Sequence, residues 1–234
     1  MLREWVGTIS TIETKRVNGS TRDFVYQTIK NQIINLELEP GRKISEKEVA
    51  KLLEVSKTPV REAFLMLAQE ELLDVFPQSG TFVSHINLDL VEEGRFVRQK
   101  IEAAIVKEAC LTFGADQLFQ LESNLAMQEL CLEKGTHQRL FELDEEYHRT
   151  LFEGCKKTRS WKMIRQMNSH FDRLRVLRLA SNPEWNGIVS QHQKIFEAIG
   201  NQDIESAVKV MNDHLEAVNY EKDQLRLNYP TYFS

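Results

Sequence analysis

Residues 42–82, RKISEKEVAKLLEVSKTPVREAFLMLAQEELLDVFPQSGTF, contain the pattern that decides the fold. Ser45 followed by Glu48 is a capping box, in which the two side chains satisfy backbone N–H groups at the start of a helix. Thr58 and Pro59 predict a second helix start, with Thr58 as the cap, because proline lacks the N–H group that a first helical turn would leave unpaired. The stretch therefore predicts two short helices separated by a few residues.

A buried stripe and a hairpin follow the start of this second helix. The stripe consists of Ala63, Phe64, Leu67 and Ala68 at helical spacing. Residues 73–86 predict a β-hairpin with the turn residues 78–80, Gln-Ser-Gly, at its tip. Two short helices joined by a tight turn form a helix-turn-helix unit, whose second helix brings its N-terminal residues to base edges in the major groove. Lys57, Thr58 and Arg61 occupy that part of the helix, so the pattern predicts DNA binding.

The run SKTPVREAFLMLAQEELLDVFPQSGTFV resembles the winged helix-turn-helix of the GntR family of bacterial transcription regulators. The preceding run, VYQTIKNQIINLELEPGRKISEKEVAKLL, is similar to the first two helices of that unit, and the resemblance covers about residues 22–86. The resemblance implies that the DNA contacts are Lys47, Lys57, Thr58, Arg61 and the wing glycine Gly80. Several family members carry arginine where this chain has Lys47 and Lys57. Lysine cannot form the bidentate fork that arginine forms with guanine, so Arg61 is the best candidate for reading bases.

The charge of the chain does not by itself indicate a nucleic-acid partner. The net charge is −5, and residues 1–86 contain 11 Lys+Arg against 12 Asp+Glu. Any basic patch is therefore local, and Arg42 joins the candidate DNA contacts as a member of the basic cluster in residues 42–61. Such a cluster is also compatible with a solvated helix surface.

Composition limits the class of protein. A chain of 234 residues with 41% hydrophobic and 28% charged residues is ordinary for one or two globular domains. No apolar run approaches the ~20 residues of a membrane span, and the N-terminus shows no signal-peptide pattern. Three widely spaced cysteines suggest free thiols in a reducing compartment, so a cytoplasmic location is expected.

The predicted fold is mostly α. Residues 1–21 are expected to form a flexible arm, residues 22–86 a winged helix-turn-helix domain, and residues 90–227 an all-helical, antiparallel bundle, with a linker at 87–89. Helices are predicted near 89–113, 115–134, 136–154, 158–180, 184–200 and 203–226. The arginines of the run RLRVLRL at 173–179 are expected at the surface, at a dimer contact or in a ligand cavity.

Four residues of the helical part have the spacing of metal ligands. Asp144 and His148 are four apart and share one helix face, and His192 and His214 each lie on a further predicted helix beside an apolar stripe. Each histidine alone is more typical of a surface residue or of a hydrogen-bonded core residue. Spacing alone leaves open whether the four residues meet.

The helical part also resembles the C-terminal effector domain of the FadR subfamily within GntR, in its metal-binding branch. Asp144, His148, His192 and His214 fall at the ligand positions of that branch, which implies a divalent ion, Zn²⁺ foremost and Ni²⁺ or Mn²⁺ next. Arg98 with Glu102 resembles the subfamily's Arg-x-x-x-Glu, in which the arginine faces the cavity and can hold an effector carboxylate. The alternative for Arg98 is an ion pair with Glu102 within the helix. The run EGCKKTR at 153–159 departs from the family pattern, which leaves the details of the pocket open.

The sequence thus predicts a ligand-responsive DNA-binding transcription regulator, a repressor relieved by a small organic or sugar acid. A homodimer would bind a near-palindromic operator, and no membrane partner is expected. Two alternatives remain: a metal-dependent enzyme that uses the Asp/His₃ set, and a regulator whose metal is purely structural. An enzyme is disfavoured because no general base or catalytic motif lies outside the ligand set.

Overall fold

The structure is a computed structural model that describes residues 19–181, 185–217 and 222–234. The predicted N-terminal arm falls almost entirely on residues outside these ranges. The described chain divides into two compact units. The first comprises the described residues up to Val91, together with Ser169–Ala180 and Asp223–Ser234; the second comprises the described residues of Glu92–Asn168 and Ser181–Lys222. The domain boundaries proposed from the sequence stay predictions.

The described residues are mostly helical. The helices are α1 (Thr21–Ile34), α2 (Glu46–Leu52), α3 (Lys57–Gln69), α4 (Leu88–Thr112), α5 (Ala115–Lys134), α6 (His137–Gly154), α7 (Thr158–Met167), α8 (Ser169–Ser181), α9 (Asn186–Gly200), α10 (Ile204–Glu216) and α11 (Lys222–Asn228). A 3₁₀ turn follows at Pro230–Tyr232. Among the described residues, no helix combines the length and the apolar character needed to cross a membrane.

The two short helices of the first unit begin near the predicted positions. Ser45 caps α2, and its hydroxyl oxygen accepts a hydrogen bond from the Glu48 N–H at 3.1 Å. Helix α3 begins at Lys57 after Ser56, so the prediction that Thr58 caps this helix is wrong. Thr58 lies inside the first turn, where its side chain is exposed. The inward face of α3 consists of Val60, Ala63, Phe64 and Leu67, all buried.

A small antiparallel sheet completes the winged helix. The predicted hairpin is present as β2 (Leu73–Phe76) and β3 (Gly80–Val83), with Phe76 paired to Gly80 at the tip. A third strand, β1 (Lys43–Ile44), pairs with β3 and gives the order β1-β3-β2. The sequence did not predict β1, because two residues are too short to show an alternating pattern.

Two distant segments pack with the N-terminal residues in the first unit. On α8, the Arg173 guanidinium donates to the backbone oxygens of Ser84 (2.7 Å) and His85 (3.3 Å). At the C-terminus, the Ile86 N–H donates to the Tyr232 oxygen at 2.7 Å. Arg173 is fully buried, so the expectation of a surface position is wrong for this arginine. The winged helix is thereby completed by residues far away in the sequence.

The second unit is a helical domain with its own core. Helix α5 packs on α6 and on α9, and α9 packs on α10. Large buried side chains fill the core between them, including Leu121, Leu125, Tyr147, Leu151, Phe152, Trp161, Ile195, Ile199 and Met211. The three cysteines are buried and free, and burial raises the pKa of the Cys155 thiol to about 11. The mostly α fold, with a winged helix and a helical domain, is confirmed.

Two predicted boundaries are wrong, and a third helix is described only in part. The expected linker at 87–89 is absent, because the Asn87 side chain caps α4 and accepts from the Asp89 N–H at 2.8 Å. The single helix expected at 158–180 is broken at Asn168, which ends α7 and whose polar side chain disfavours a helix interior. The helix expected at 203–226 is described as α10 and α11, and residues 218–221 between them lie outside the described ranges.

Candidate metal centre and DNA-binding surface

The four predicted metal ligands meet in the second unit. Asp144 and His148 lie one turn apart on α6, His192 lies on α9 and His214 lies on α10. Each residue offers one ligand atom, and these four atoms lie within 4.8 Å of one another. All four residues are buried. Tertiary packing has therefore joined residues that are up to 70 positions apart in the sequence.

The histidines face each other through the same ring nitrogen. His148 Nε2 lies 3.2 Å from His214 Nε2, and His192 Nε2 lies 3.6 Å from the Asp144 Oδ1 atom. A carboxylate oxygen and three imidazole nitrogens of this kind are the usual ligands of Zn²⁺, Ni²⁺ and Mn²⁺. Lone pairs that converge at such distances repel one another, and a shared cation would relieve this repulsion. The donor set fits a divalent ion.

The opposite nitrogen of His148 is held by a carboxylate. His148 Nδ1 lies 2.5 Å from Glu102 Oε2, and Glu102 also accepts from Arg98 Nε at 2.5 Å. Burial alone would raise the pKa of Glu102, but His148 and Arg98 outweigh it and hold the pKa below its usual value. A charged Glu102 accepts a hydrogen bond from the Nδ1–H group of His148. The Nε2 lone pair of His148 is then directed at the cluster.

The other two histidines are held by amides. His192 Nδ1 lies 2.9 Å from Gln128 Oε1, and His214 Nδ1 lies 3.1 Å from Gln191 Oε1. The Tyr147 hydroxyl also donates to the backbone oxygen of His192 at 2.9 Å, and its ring stacks on the imidazole at a centroid distance of 4.3 Å. All three Nδ1 atoms thus face oxygen acceptors, which is the arrangement that orients histidine ligands of metals.

The sequence interpretation did not identify these supporting residues. The prediction from the sequence included Glu102 only as a partner of Arg98 and did not include Gln128 or Gln191. A signal was available for Gln128, since it lies on the buried stripe of α5 that includes Leu125 and Cys131. A polar side chain on an apolar stripe needs a buried partner.

Arg98 is buried and makes the ion pair that the sequence offered as the alternative to a ligand contact. Besides Glu102, it donates from Nη1 to Glu145 Oε1 at 3.4 Å. The other oxygen of Glu145 accepts a hydrogen bond from Arg165 on α7. Both guanidinium groups lie over the Trp161 ring, at 5.9 Å and 5.8 Å from its centroid. Two arginines therefore share one carboxylate directly beside the ligand Asp144.

The predicted DNA-contacting side chains form an exposed set in the first unit. These exposed residues are Arg42, Lys47, Lys57, Thr58 and Arg61. Arg61 Nε lies 3.3 Å from Glu46 Oε2, and about 70% of the Arg61 side chain remains exposed. An exposed ion pair of this kind contributes little to stability, so the Arg61 guanidinium is available to a ligand.

Gly80 turns the chain at the wing tip. Its φ of +118° lies in a region that other residues rarely adopt, and a Cβ added there would lie 2.7 Å from Lys43 Cε. The exposed side chains of Val75 and Phe76 flank this turn on β2. The glycine thus permits the tight turn and leaves space for the end of the Lys43 side chain.

The fold and the two sites define a class of protein. A winged helix-turn-helix unit whose helix α3 begins with exposed, basic residues is typical of DNA-binding modules. The helical unit carries a buried cluster suited to a metal ion. The comparisons with known proteins agree with this class. The profile for bacterial regulatory proteins of the gntR family matches residues 21–83, and the FCD domain profile matches residues 95–217.

The chain belongs to the GntR family of bacterial transcription regulators, with an N-terminal GntR domain and a C-terminal FCD domain. It is 32% identical over 212 residues to the HTH-type transcriptional repressor RspR of Escherichia coli K12, covering 90% of this chain and 92% of that protein. It is 33% identical over 223 residues to an HTH-type transcriptional regulator in an unstable DNA locus of Streptomyces ambofaciens, covering 94% and 92% of the two chains. These relatives are transcription regulators and not enzymes, so the enzyme alternative is not retained.

A solved structure has the same fold. The McbR/YncC structure from E. coli covers 90% of this chain and 99% of its own, with a TM-score of 0.77. The identity is 20%, so this likeness describes the fold alone. Family membership makes DNA the partner of the GntR domain and an effector the partner of the FCD domain.

Proposed function

We propose that this regulator is a metal-dependent, ligand-responsive repressor of the FadR subfamily, in its metal-binding branch. A homodimer binds a near-palindromic operator in the cytoplasm, and a small organic or sugar acid relieves repression. The observation that carries the metal part is the buried Asp/His₃ cluster, in which every histidine has its Nδ1 atom directed at an oxygen acceptor.

The ion is held by Asp144, His148, His192 and His214. Zn²⁺ suits this mixed oxygen and nitrogen set best, and Ni²⁺ and Mn²⁺ are the alternatives. A bound ion supplies a Lewis-acidic point to which an oxygen of the effector can coordinate. Glu102, Gln128 and Gln191 keep the ligand nitrogens free of protons and aimed at the ion.

The effector carboxylate binds at Arg98, the arginine proposed from the sequence. Support comes from Glu145, a carboxylate that already lies between Arg98 and Arg165. Two guanidinium groups that share one carboxylate form a fork suited to such an anion. The effector would displace Glu145 from the two arginines, next to the residues that would hold the ion.

The assignment of repression rests on the family relatives. RspR of E. coli is named a transcriptional repressor, and this chain is 32% identical to it. The proposed operator contacts are Arg42, Lys47, Lys57, Thr58, Arg61 and the wing at Gly80. Two-fold symmetry of a homodimer would present two such surfaces to related half-sites.

The first test is a thermal-shift panel of small mono- and dicarboxylates and sugar acids, run with and without a chelator. Stabilisation by one compound that disappears with the chelator supports an effector bound to the ion. A loss of melting temperature with the chelator, together with no response to any compound, supports a purely structural metal. No metal in the purified protein and no binding of Zn²⁺, Ni²⁺ or Mn²⁺ contradicts the metal proposal.

A further inference from the structure

A chain of hydrogen bonds within the second unit links helix α6 to His192 through helix α5. The Asn124 side-chain nitrogen donates to the backbone oxygen of Leu143 at 3.1 Å. The Gln128 side-chain nitrogen donates to Asn124 Oδ1 at 2.7 Å. The chain ends where Gln128 Oε1 lies 2.9 Å from His192 Nδ1. Gln128 and His192 are fully buried.

The direction of every hydrogen bond in this chain is determined by its first member. A backbone carbonyl only accepts, so Asn124 must turn its NH₂ group toward Leu143 and its oxygen toward Gln128. Gln128 must then donate to Asn124 with its own NH₂ group. Its oxygen is left facing His192, and an oxygen acceptor requires that the proton of the neutral imidazole be on Nδ1.

The position of this proton matters because the other ring nitrogen faces the cluster. His192 Nε2 lies 3.6 Å from Asp144 Oδ1, on the side where the four ligand atoms converge. A nitrogen that carries a proton has no lone pair to offer to a metal ion. The amide chain therefore keeps the proton of His192 away from the coordinating side.

We infer that Gln128 and Asn124 are positioning residues that hold His192 in the metal-competent tautomer and so set the affinity of the centre for its ion. This inference rests on the proposed metal-binding function. Leu143, whose backbone oxygen accepts the first of these hydrogen bonds, immediately precedes Asp144. The hydrogen bonds therefore connect two proposed ligands, Asp144 on α6 and His192 on α9.

The tautomer of His192 depends on this series of hydrogen bonds, whereas the tautomers of the other two histidines do not. A charged carboxylate, Glu102, accepts from His148 and has no donor form that could reverse the bond. Gln191, which faces His214, has no second hydrogen bond among the described residues that would hold its orientation. The side-chain amide of Gln128 could rotate to exchange its NH₂ group and its oxygen. Its hydrogen bond to Asn124, which is fixed in turn by the Leu143 backbone oxygen, prevents that rotation.

The placement of His192 itself does not require the amide chain. The Tyr147 hydroxyl donates to the His192 backbone oxygen and the Tyr147 ring stacks on the imidazole. Removal of the Gln128 acceptor should therefore leave the His192 ring in place and allow its proton to occupy either Nδ1 or Nε2. This separates an effect on the tautomer from a general loss of structure.

The test compares four variants with the wild-type full-length protein. Gln128→Met keeps the length of the side chain and removes the acceptor, whereas Gln128→Glu keeps an acceptor. Asn124→Leu removes the anchor without touching His192. Gln120→Met, on the exposed face of α5, is the matched control. The Zn²⁺ affinity is measured by competition with a chromogenic chelator, and long-range ¹H–¹⁵N NMR of the metal-free protein at pH 8 reports which nitrogen of His192 carries the proton.

We expect Nδ1 of His192 to carry the proton in the wild-type protein, and a population with the proton on Nε2 to appear in Gln128→Met. The dissociation constant for Zn²⁺ should rise about 10- to 100-fold in Gln128→Met and in the same direction in Asn124→Leu. It should stay within about 3-fold of the wild-type value in Gln120→Met, whereas Gln128→Glu should keep the His192 proton on Nδ1 but loses the NH₂ group that donates to Asn124.

An unchanged Zn²⁺ affinity in Gln128→Met, or a wild-type His192 protonated on Nε2, overturns the inference. If Gln128→Met fails to fold, Asn124→Leu and the wild-type NMR spectrum still decide it. Failure of the proposed function has a different signature, because the wild-type protein then binds no divalent ion at all while its His192 tautomer remains measurable.

Discussion

At the scale of single residues, Arg61 makes an ion pair and still presents most of its side chain to solvent. Its guanidinium lies 3.3 Å from Glu46, yet most of the side chain is exposed at the start of α3. We expect Arg61→Ala to weaken operator binding by at least 10-fold and to reduce discrimination against unrelated DNA, since a bidentate arginine–guanine contact contributes about 1–3 kcal/mol. Fluorescence anisotropy with operator and scrambled duplexes measures both effects.

Arg22 provides the control for Arg61, because it is also an exposed arginine beside a carboxylate, Asp23, in the same unit. Arg22→Ala should leave the ratio of operator affinity to scrambled-DNA affinity unchanged. Equal losses in the two variants would mean that Arg61 contributes only positive charge.

Glu145 is the second residue with a specific expectation. It lies between Arg98 and Arg165 and, in the proposed function, competes with the effector carboxylate. Glu145→Gln should therefore increase effector affinity several-fold at saturating metal, as measured by isothermal titration calorimetry. Glu146→Gln, next to it on α6 and paired with Arg139, should have no such effect. Weaker effector binding in Glu145→Gln would argue that Glu145 supports the site.

At the scale of secondary-structure elements, the wing depends on one glycine. The positive φ of Gly80 is strained for any residue with a Cβ, and an added Cβ would also push the flexible end of the Lys43 side chain aside. Gly80→Ala should lower the free energy of unfolding by about 1 kcal/mol or more and weaken operator binding through the displaced wing. Gly187→Ala is the control, because Gly187 lies in α9 with nothing within 4 Å of the added Cβ. Urea unfolding should show Gly187→Ala to be as stable as the wild type or more stable.

Helix α8 makes the first unit sensitive to acid through His170. The imidazole Nδ1 accepts from the Asn87 N–H (3.1 Å) and from Arg173 (2.9 Å), and Nε2 donates to the Glu71 oxygen (3.2 Å). Burial and the neighbouring Arg173 lower the pKa of His170 from 6.5 to about 3. The two hydrogen bonds that Nδ1 accepts require the neutral ring, because a protonated Nδ1 has no lone pair to accept them.

The sign of the resulting pH dependence follows from proton binding. Below pH 6.5 the unfolded chain binds a proton at His170 that the folded chain does not bind until about pH 3, so stability falls as the pH is lowered through this window. The loss between pH 6.5 and 4.5 should be about 2–3 kcal/mol at ~1.4 kcal/mol per pH unit. His170→Asn, which keeps an acceptor near Nδ1 and does not titrate, should show a correspondingly flatter profile in urea unfolding between these pH values. Parallel profiles for the two proteins would contradict the assignment.

At the scale of the whole molecule, the proposed metal centre and the predicted DNA-binding surface belong to different units. A ligand that binds only the folded protein adds stability by mass action, about 4 kcal/mol at 1,000 times its dissociation constant. Chelation or His192→Ala should therefore lower the melting temperature and abolish the effector response, while operator affinity of the effector-free protein changes little. Calorimetry and anisotropy measure the two parts. A loss of operator affinity on chelation would instead make the metal structural for DNA binding.

The sequence predicted the local features well. The cap at Ser45, the hairpin with Gly80 at its tip and the helical pattern of residues 90–217 depend on side chains within a few positions of one another, so their patterns are visible along the chain. The errors lie where local preference and tertiary packing compete. Asn168 interrupts a long helical pattern, and Asn87 begins a helix where a linker was expected.

What the amino-acid sequence by itself determined is the class of protein and the set of candidate site residues. The helix-turn-helix unit follows from residue type and interval, and the resemblance to the GntR family implied roles for Arg61 and Gly80 and for the set Asp144, His148, His192 and His214. Only the tertiary structure decided that the four ligands meet, that Gln128 faces His192, and that α8 and the C-terminus complete the winged-helix unit. The physical reason is that these contacts join residues tens of positions apart, and helical periodicity specifies which face of a helix is buried but not which residue it meets.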